Sequence, residues 1–184
     1  MELLKDKKIF EEIFELKAAF KKLFINISNN FPQQRLIEIY PESKGCKVSI
    51  GNELNHCPYQ VLDIFRNFDK THGFNIRVLN WWGHGLFVFV FFGKEQSEKI
   101  LKNDRDQIFL EKGYLLPRGK SPFDYGNFYR EVKNSKNSSM NANDYLSKFN
   151  YLLFAKELVV KGSPVNIEGE VLEELERILQ FRRI

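Results

Sequence analysis

The chain has 184 residues, 43% of them hydrophobic and 15% aromatic, including 18 Phe, which is enough for a sizeable core without disulfides or a structural metal. Its 28 Lys and Arg against 24 Asp and Glu leave a net charge of +4, too even for the concentrated basic stripe of a dedicated nucleic-acid binder. Two cysteines are too few for a disulfide framework, the charged start MELLKDKKIF does not read as a secretory leader, and no apolar run nears the ~20 residues of a membrane span, so a soluble, cytoplasmic protein without a membrane partner is predicted.

In chain order, Lys7 to Ile27 reads as an amphipathic helix, with Ile9, Ile13, Phe14, Leu16, Phe20, Leu23, Phe24 and Ile27 at helical spacing. Acids and bases balance on its polar face, which predicts packing on a core rather than on a bilayer. Ser28 to Gln34 reads as a loop and Pro41 to Gly45 as a turn, leaving Arg35–Tyr40 and Cys46–Ile50 as a pair of strands. After a connection over Gly51–His56, Pro58 predicts the opening of a helix with Val61, Leu62, Phe65 and Phe68 on its apolar side and Gly73 as its cap.

The stretch Gly73 to Gly93 predicts a β-hairpin: strands Phe74–Asn80 and Leu86–Phe92 around the turn Trp81-Trp82-Gly83-His84-Gly85. The seven apolar residues LFVFVFF suit a strand buried on both faces. A turn centred on Gly83 pairs Val78 with Val88 and Ile76 with Val90 on a core face. Arg77 then falls opposite Phe89 on the other face, in reach of a cation–π contact across that ring.

Lys94–Asn103 reads as a mostly polar helix, and Gln107–Pro117 as one extended segment or a small hairpin. Ser121-Pro122-Phe123-Asp124 has the chemistry of a helix start, with Tyr125, Phe128, Tyr129 and Val132 forming the stripe behind it. Asn134 to Ser139 reads as a linker. Asn141-Ala142-Asn143-Asp144 resembles a capping box that starts a helix running to about Lys161 and ended by Gly162, and Glu168–Phe181 reads as the last helix. The expectation is one α+β domain over 1–184. A four-stranded antiparallel sheet of two hairpins, in ββα-ββα order behind an N-terminal amphipathic helix, occupies 1–118, with helices on one face. A helical layer over 121–184 would cover the face that carries Arg77.

No phosphate-binding, nucleotide-binding or hydrolase motif occurs. Cys46 and Cys57 stand eleven apart, which fits no zinc-ligand pair, so no metal or cofactor is expected. A nucleophile pair of Cys57 with His84 has no local signature to support it. Two tryptophans at a hairpin tip either pack beneath a helix or offer a binding surface.

The leading functional reading is a binding module for a protein or small ligand without catalysis of its own. Its site would be lined by Arg77, Trp81, Trp82 and His84, with Tyr125 and Tyr129 facing them. A second reading is nucleic-acid binding through the same aromatics with Arg118, Lys120, Lys133 and Lys136. A third is an enzyme acting on a phosphorylated or acyl substrate, with His84 as acid/base and Arg77 or Arg118 as the anion clamp. The loop Arg118-Gly119-Lys120 before the Ser121 helix is an anion-site candidate on the same grounds.

Overall fold

The computed structural model describes residues 3–119, 121–133, 140–160 and 164–182. Among these, helices α1 (Lys7–Asn29) and α2 (Gln33–Ile39) precede strands β1 (Lys47–Leu54), β2 (Cys57–Asn67), β3 (Phe74–Trp81) and β4 (Gly85–Gly93). Then come α3 (Lys94–Lys102), α4 (Arg105–Glu111), α5 (Tyr125–Lys133), α6 (Ala142–Phe149), β5 (Tyr151–Leu158) and α7 (Pro164–Arg182). The architecture is α+β, and the sheet has five strands rather than four, each antiparallel to the next in the order β1-β2-β3-β4-β5.

The central β3–β4 ladder takes the register expected from a turn centred on Gly83, with Val78 opposite Val88, Arg77 opposite Phe89 and Phe74 opposite Phe92. Alternation then sorts the side chains. Ile76, Val78, Val88 and Val90 face α1, α4 and α7: Gln60 of β2 donates to the Lys17 carbonyl of α1 at 2.8 Å, and Phe109 of α4 stacks on Phe154 with 4.5 Å between ring centres. Arg77, Leu79, Phe87 and Phe89 face α5, whose Phe128 meets Phe87 and Phe89 edge-on at 5.6 and 5.1 Å. Helices therefore lie on both faces of the sheet: α5 covers the face that carries Arg77, as expected of the segment after 121, whereas α7 from the same segment joins α1 on the other face, and β2, β3 and β4 are buried on both sides as a result.

Burial on both sides explains two departures from expectation. Cys57–Asn67 is a strand, not a helix opened by Pro58, because its apolar residues fill two faces and no single period shows. A bulge between Asp63 and Phe65 blurs the pattern further by shifting the face of every later residue, so that Phe65 joins Ile76 and Asp63 joins Arg77. Gly73 is no helix cap. A Cβ there would meet the Asp69 carbonyl oxygen at 2.2 Å, where the β2–β3 loop folds back to accept hydrogen bonds from the Lys94 and Glu95 N–H groups at the start of α3. The helix from Asn141 stops at Phe149, with Asn150 in the left-handed region (φ 58°), and Tyr151–Leu158 becomes the fifth strand.

Arg35–Tyr40 is not a strand, since Gln33–Ile39 is helical and only Leu36 is fully buried. Pro41 then holds Tyr40 in extended backbone and ends the helix. Arg105–Glu111, in the segment read as extended, is helical; Gly113 at φ 81° closes it, with Gly113 and Tyr114 N–H groups donating to the Leu110 and Phe109 carbonyls. Beyond it, Leu115 makes a single bridge to Ala155 on β5. The linker read over 134–139 and the ending at Gly162 lie outside the described residues.

The first helix follows its expected span but not its expected burial. Leu23, Phe24 and Ile27 are buried, whereas Phe10 is 47%, Phe14 72% and Leu16 48% exposed. Nine residues are two and a half turns at ~3.6 per turn, so Phe14 points away from the side that Leu23 buries.

Candidate functional site

Where β3 meets β4, Trp81 pairs with Gly85 across a three-residue turn, Trp82-Gly83-His84. Gly83 takes φ 75°, a conformation that side chains disfavour. The turn is pinned from two sides: the His84 N–H donates to the Trp81 carbonyl at 2.9 Å, and the Trp82 N–H donates to the Pro58 carbonyl on β2 at 3.1 Å.

The two tryptophans have different surroundings. Trp81 is 1% exposed, and its indole N–H donates to the Leu54 carbonyl at 2.9 Å. The His84 ring stacks on it at 3.7 Å and 6°, and Tyr129 of α5 closes on His84 edge-on at 4.6 Å. His84 Nδ1 lies 3.1 Å from the Trp82 carbonyl. A carbonyl only accepts, so Nδ1 carries the proton in that bond. Trp82 is half-buried on the opposite side, edge-on to Phe20 of α1 at 6.1 Å, and its buried indole N–H has no hydrogen-bond partner among the described residues. Buried donors are nearly always paired, which makes this one an exception.

Arg77 belongs to a separate site. Four residues along β3 place it ~13 Å from Trp81 at ~3.3 Å per residue. Its Nε and Nη2 donate to the Asp63 carboxylate at 2.8 and 2.9 Å, and its Nη1 donates to the Tyr125 hydroxyl. Its guanidinium lies over Phe68 at 5.0 Å and Phe123 at 5.7 Å, so the cation–π partners are these rings and not Phe89. Asn75 adds a third donor to Asp63, its side-chain amide reaching the carboxylate at 3.1 Å. Burial works against the Arg77 charge, but Asp63 with Tyr125 outweighs it and the pKa is raised.

The eight residues singled out from sequence thus fall into distinct groups. Trp81, His84 and Tyr129 stack together, Trp82 faces α1, and Tyr125 joins Arg77. Arg118 sits apart: its backbone N–H donates to Glu131 at 3.1 Å, its carbonyl accepts from Asn127, and its guanidinium lies 4.0 Å from Glu131. Lys120 and Lys136 lie outside the described residues. Lys133 meets Glu157 at 3.2 Å and lies 5.6 Å from the Tyr129 ring centre. Among the described residues no hydrogen bond joins Cys57 to His84, and no three His, Cys, Asp or Glu side chains are grouped to hold a metal ion.

Two features escaped the sequence reading. One is the exposed apolar face of α1; the half-turn offset between Phe14 and Leu23 was its available signal. The other is a buried carboxylate, Glu174, 4% exposed on α7. It accepts from Tyr114 at 2.7 Å, from Arg177 at 2.6 Å and from Lys156 of β5 at 3.2 Å. Burial and this carboxylate raise the Tyr114 pKa well above the ordinary phenol range. The cluster is closed, with the anion satisfied by two cations and a hydroxyl, and its chain-distant members gave no local pattern to read.

Compared with known proteins, the chain matches no family model, no curated protein and no solved structure. No helix among the described residues is long and apolar enough to cross a membrane.

Proposed function

We propose that the protein acts by binding, through a surface made of the N-terminal half of α1 and the adjoining β3–β4 turn. The observation that carries this reading is the exposure of Phe10, Phe14 and Leu16 on a helix whose C-terminal half is core. At ~1.5 Å per residue, Phe14 and Phe10 lie ~9 and ~15 Å beyond Phe20, and so beyond the Trp82 contact at the rim of the sheet. Contiguous apolar surface of this kind marks interaction sites. A helical segment of about ten residues with little tertiary packing is marginal by itself, which also favours a covered state.

The rival readings have less support. The nucleic-acid reading needs cations available beside the aromatics, whereas Arg118 and Lys133 each face a carboxylate. The enzyme reading needs His84 beside an anion clamp, whereas Arg77 is held by Asp63. A photoreactive amino acid placed at position 14, with the 75%-exposed Val159 position as control, tests the proposal in the expressing cell. Discrete cross-linked products are expected from position 14 and not from 159. Their absence at 14, or equal products at both positions, overturns it.

A further inference from the structure

The outer edge of β1 is open. β1 ends the sheet, with β2 on one side and no strand on the other among the described residues. Which of its amides point outward follows from the ladder. The Trp82 N–H donates to the Pro58 carbonyl, so Pro58, Gln60 and Leu62 turn their backbone groups toward β3, and Tyr59, Val61 and Asp63 turn theirs toward β1. Their partners Gly51, Ser49 and Lys47 therefore face β2, whereas Val48 and Ile50 present their N–H and C=O groups to the open side. Among the described residues no hydrogen bond other than those to β2 reaches the backbone from Lys47 to Gly51.

Neither face of the sheet overhangs this edge. Ile50, 52% exposed and paired with Gln60, projects on the α1 side, and the exposed Lys47, paired with Asp63, projects on the side of Arg77. The regular part of β1 runs from Lys47 to Gly51, where the register shifts, and Ser49 is its midpoint. A two-fold axis through Ser49 sets Val48 opposite Ile50 of the other copy. Outward-pointing groups then meet outward-pointing groups, and each residue of the pair both donates and accepts. Apolar side chains meet on the α1 side. On the other side Lys47 lies opposite Gly51 of the other copy, so no like charges oppose one another. The bulge that would bend the edge away begins only beyond Gly51. We propose that this chain pairs with a second copy of itself through β1, the two sheets joining edge to edge as antiparallel strands about Ser49.

A two-fold contact uses the same patch on both copies and closes on itself, so it yields dimers and not filaments. The pairing does not depend on the α1 surface, because its hydrogen-bonding groups belong to the backbone of β1. Residues 47–51 make a small interface beside the ~1,200 Å² of a standard one, so the dimer is weak and reversible.

Sedimentation equilibrium of the full chain from ~1 to ~300 µM is expected to show the mass rising from 21.8 kDa toward twice that value. Proline separates the two sets of amides. I50P removes an outward N–H that the monomer leaves unbonded, so this variant is expected to stay at 21.8 kDa with its far-UV dichroism unchanged. S49P removes an N–H that faces β2 and is expected to lower the urea midpoint instead. Opposite residues at the axis stand ~4.5 Å apart between Cα atoms, within disulfide range, whereas the two copies of Lys47 lie ~13 Å apart along the strands. S49C is therefore expected to link two copies through position 49 on mild oxidation, mapped by mass spectrometry, and K47C is not expected to link them through position 47.

A wild-type chain that stays monomeric across the range overturns the proposal, as does association that a folded I50P leaves intact. Masses climbing beyond twice 21.8 kDa overturn it as well. If I50P loses its dichroism, the cysteine variants decide: linkage in K47C equal to that in S49C, or none in S49C, overturns the pairing about Ser49. A monomeric wild type whose position 47, carrying a photoreactive amino acid in the expressing cell, links to other proteins reassigns the edge to a strand from another chain.

Discussion

At the residue scale, neighbouring tryptophans divide the work of the turn. Trp81 is enclosed, stacked on His84 and hydrogen-bonded through its indole to Leu54, whereas Trp82 keeps a buried N–H with no partner among the described residues. Substitution by phenylalanine is expected to separate them. Trp81→Phe leaves a void and strands the Leu54 carbonyl, a loss of about 2 kcal/mol. Trp82→Phe gives up ring area but also removes a donor whose unpaired burial costs ~1–3 kcal/mol, so its net effect is within about 0.5 kcal/mol. Urea unfolding of the two variants measures the difference; equal losses would show that the Trp82 indole is paired in solution. Arg77 teaches a related lesson. Alternation of side chains along β3 showed in the sequence that it leaves the main core, but its carboxylate partner Asp63 could not be read from pattern because β2 was not recognised as a strand.

At the element scale, the hairpin between β1 and β2 turns through Asn55 and His56, both with positive φ (48° and 66°), between the paired Leu54 and Cys57. Two-residue hairpins of this kind favour Asn followed by Gly. His56→Gly is therefore expected to stabilise by about 0.5 kcal/mol, the relief of left-handed strain exceeding the added freedom of the unfolded chain. A raised urea midpoint would confirm it, and a lowered one would show that the imidazole makes a contact worth more than the strain. That turn was missed in the sequence because His is an unusual occupant of its second position. The β3–β4 hairpin was legible through alternation, glycine and a short loop, all local signals. The helix read over Pro58–Gly73 and the helical reading of Tyr151–Leu158 failed for one reason. Apolar runs buried on two faces have no period, and whether two faces are covered is a property of the tertiary fold.

At the scale of the whole molecule, several phenol groups and one thiol are held away from water. Burial raises Tyr114, Tyr125, Tyr145 and Tyr151 above the ordinary tyrosine value of 10.0 and pushes Cys46 up to about 11 from 9.0. Groups whose pKa is raised by folding contribute stability that is complete below the unfolded-state value and lost as pH climbs past it. Stability is therefore expected to fall above about pH 9 as Cys46, and then the tyrosines, acquire a deprotonated unfolded form. Absorbance at 295 nm should show only part of the seven tyrosines ionising reversibly, with the remainder appearing together with loss of far-UV dichroism. One reversible phase for all seven, with the dichroism intact, would contradict the packing of α5 and α6 against the sheet.

Because each strand lies beside the one that follows it in the chain, no strand has to be threaded between two that have already joined. During synthesis the sheet grows outward from β1, one border at a time, and β4 waits longest for its second neighbour, since α3 to α6 intervene before β5. Through that interval the most apolar strand of the protein presents an open border of unbonded amides and carbonyls. The vulnerable moment in the life of this chain is thus the wait for residues 151–158, when premature termination or delay exposes an adhesive rim that the finished fold conceals.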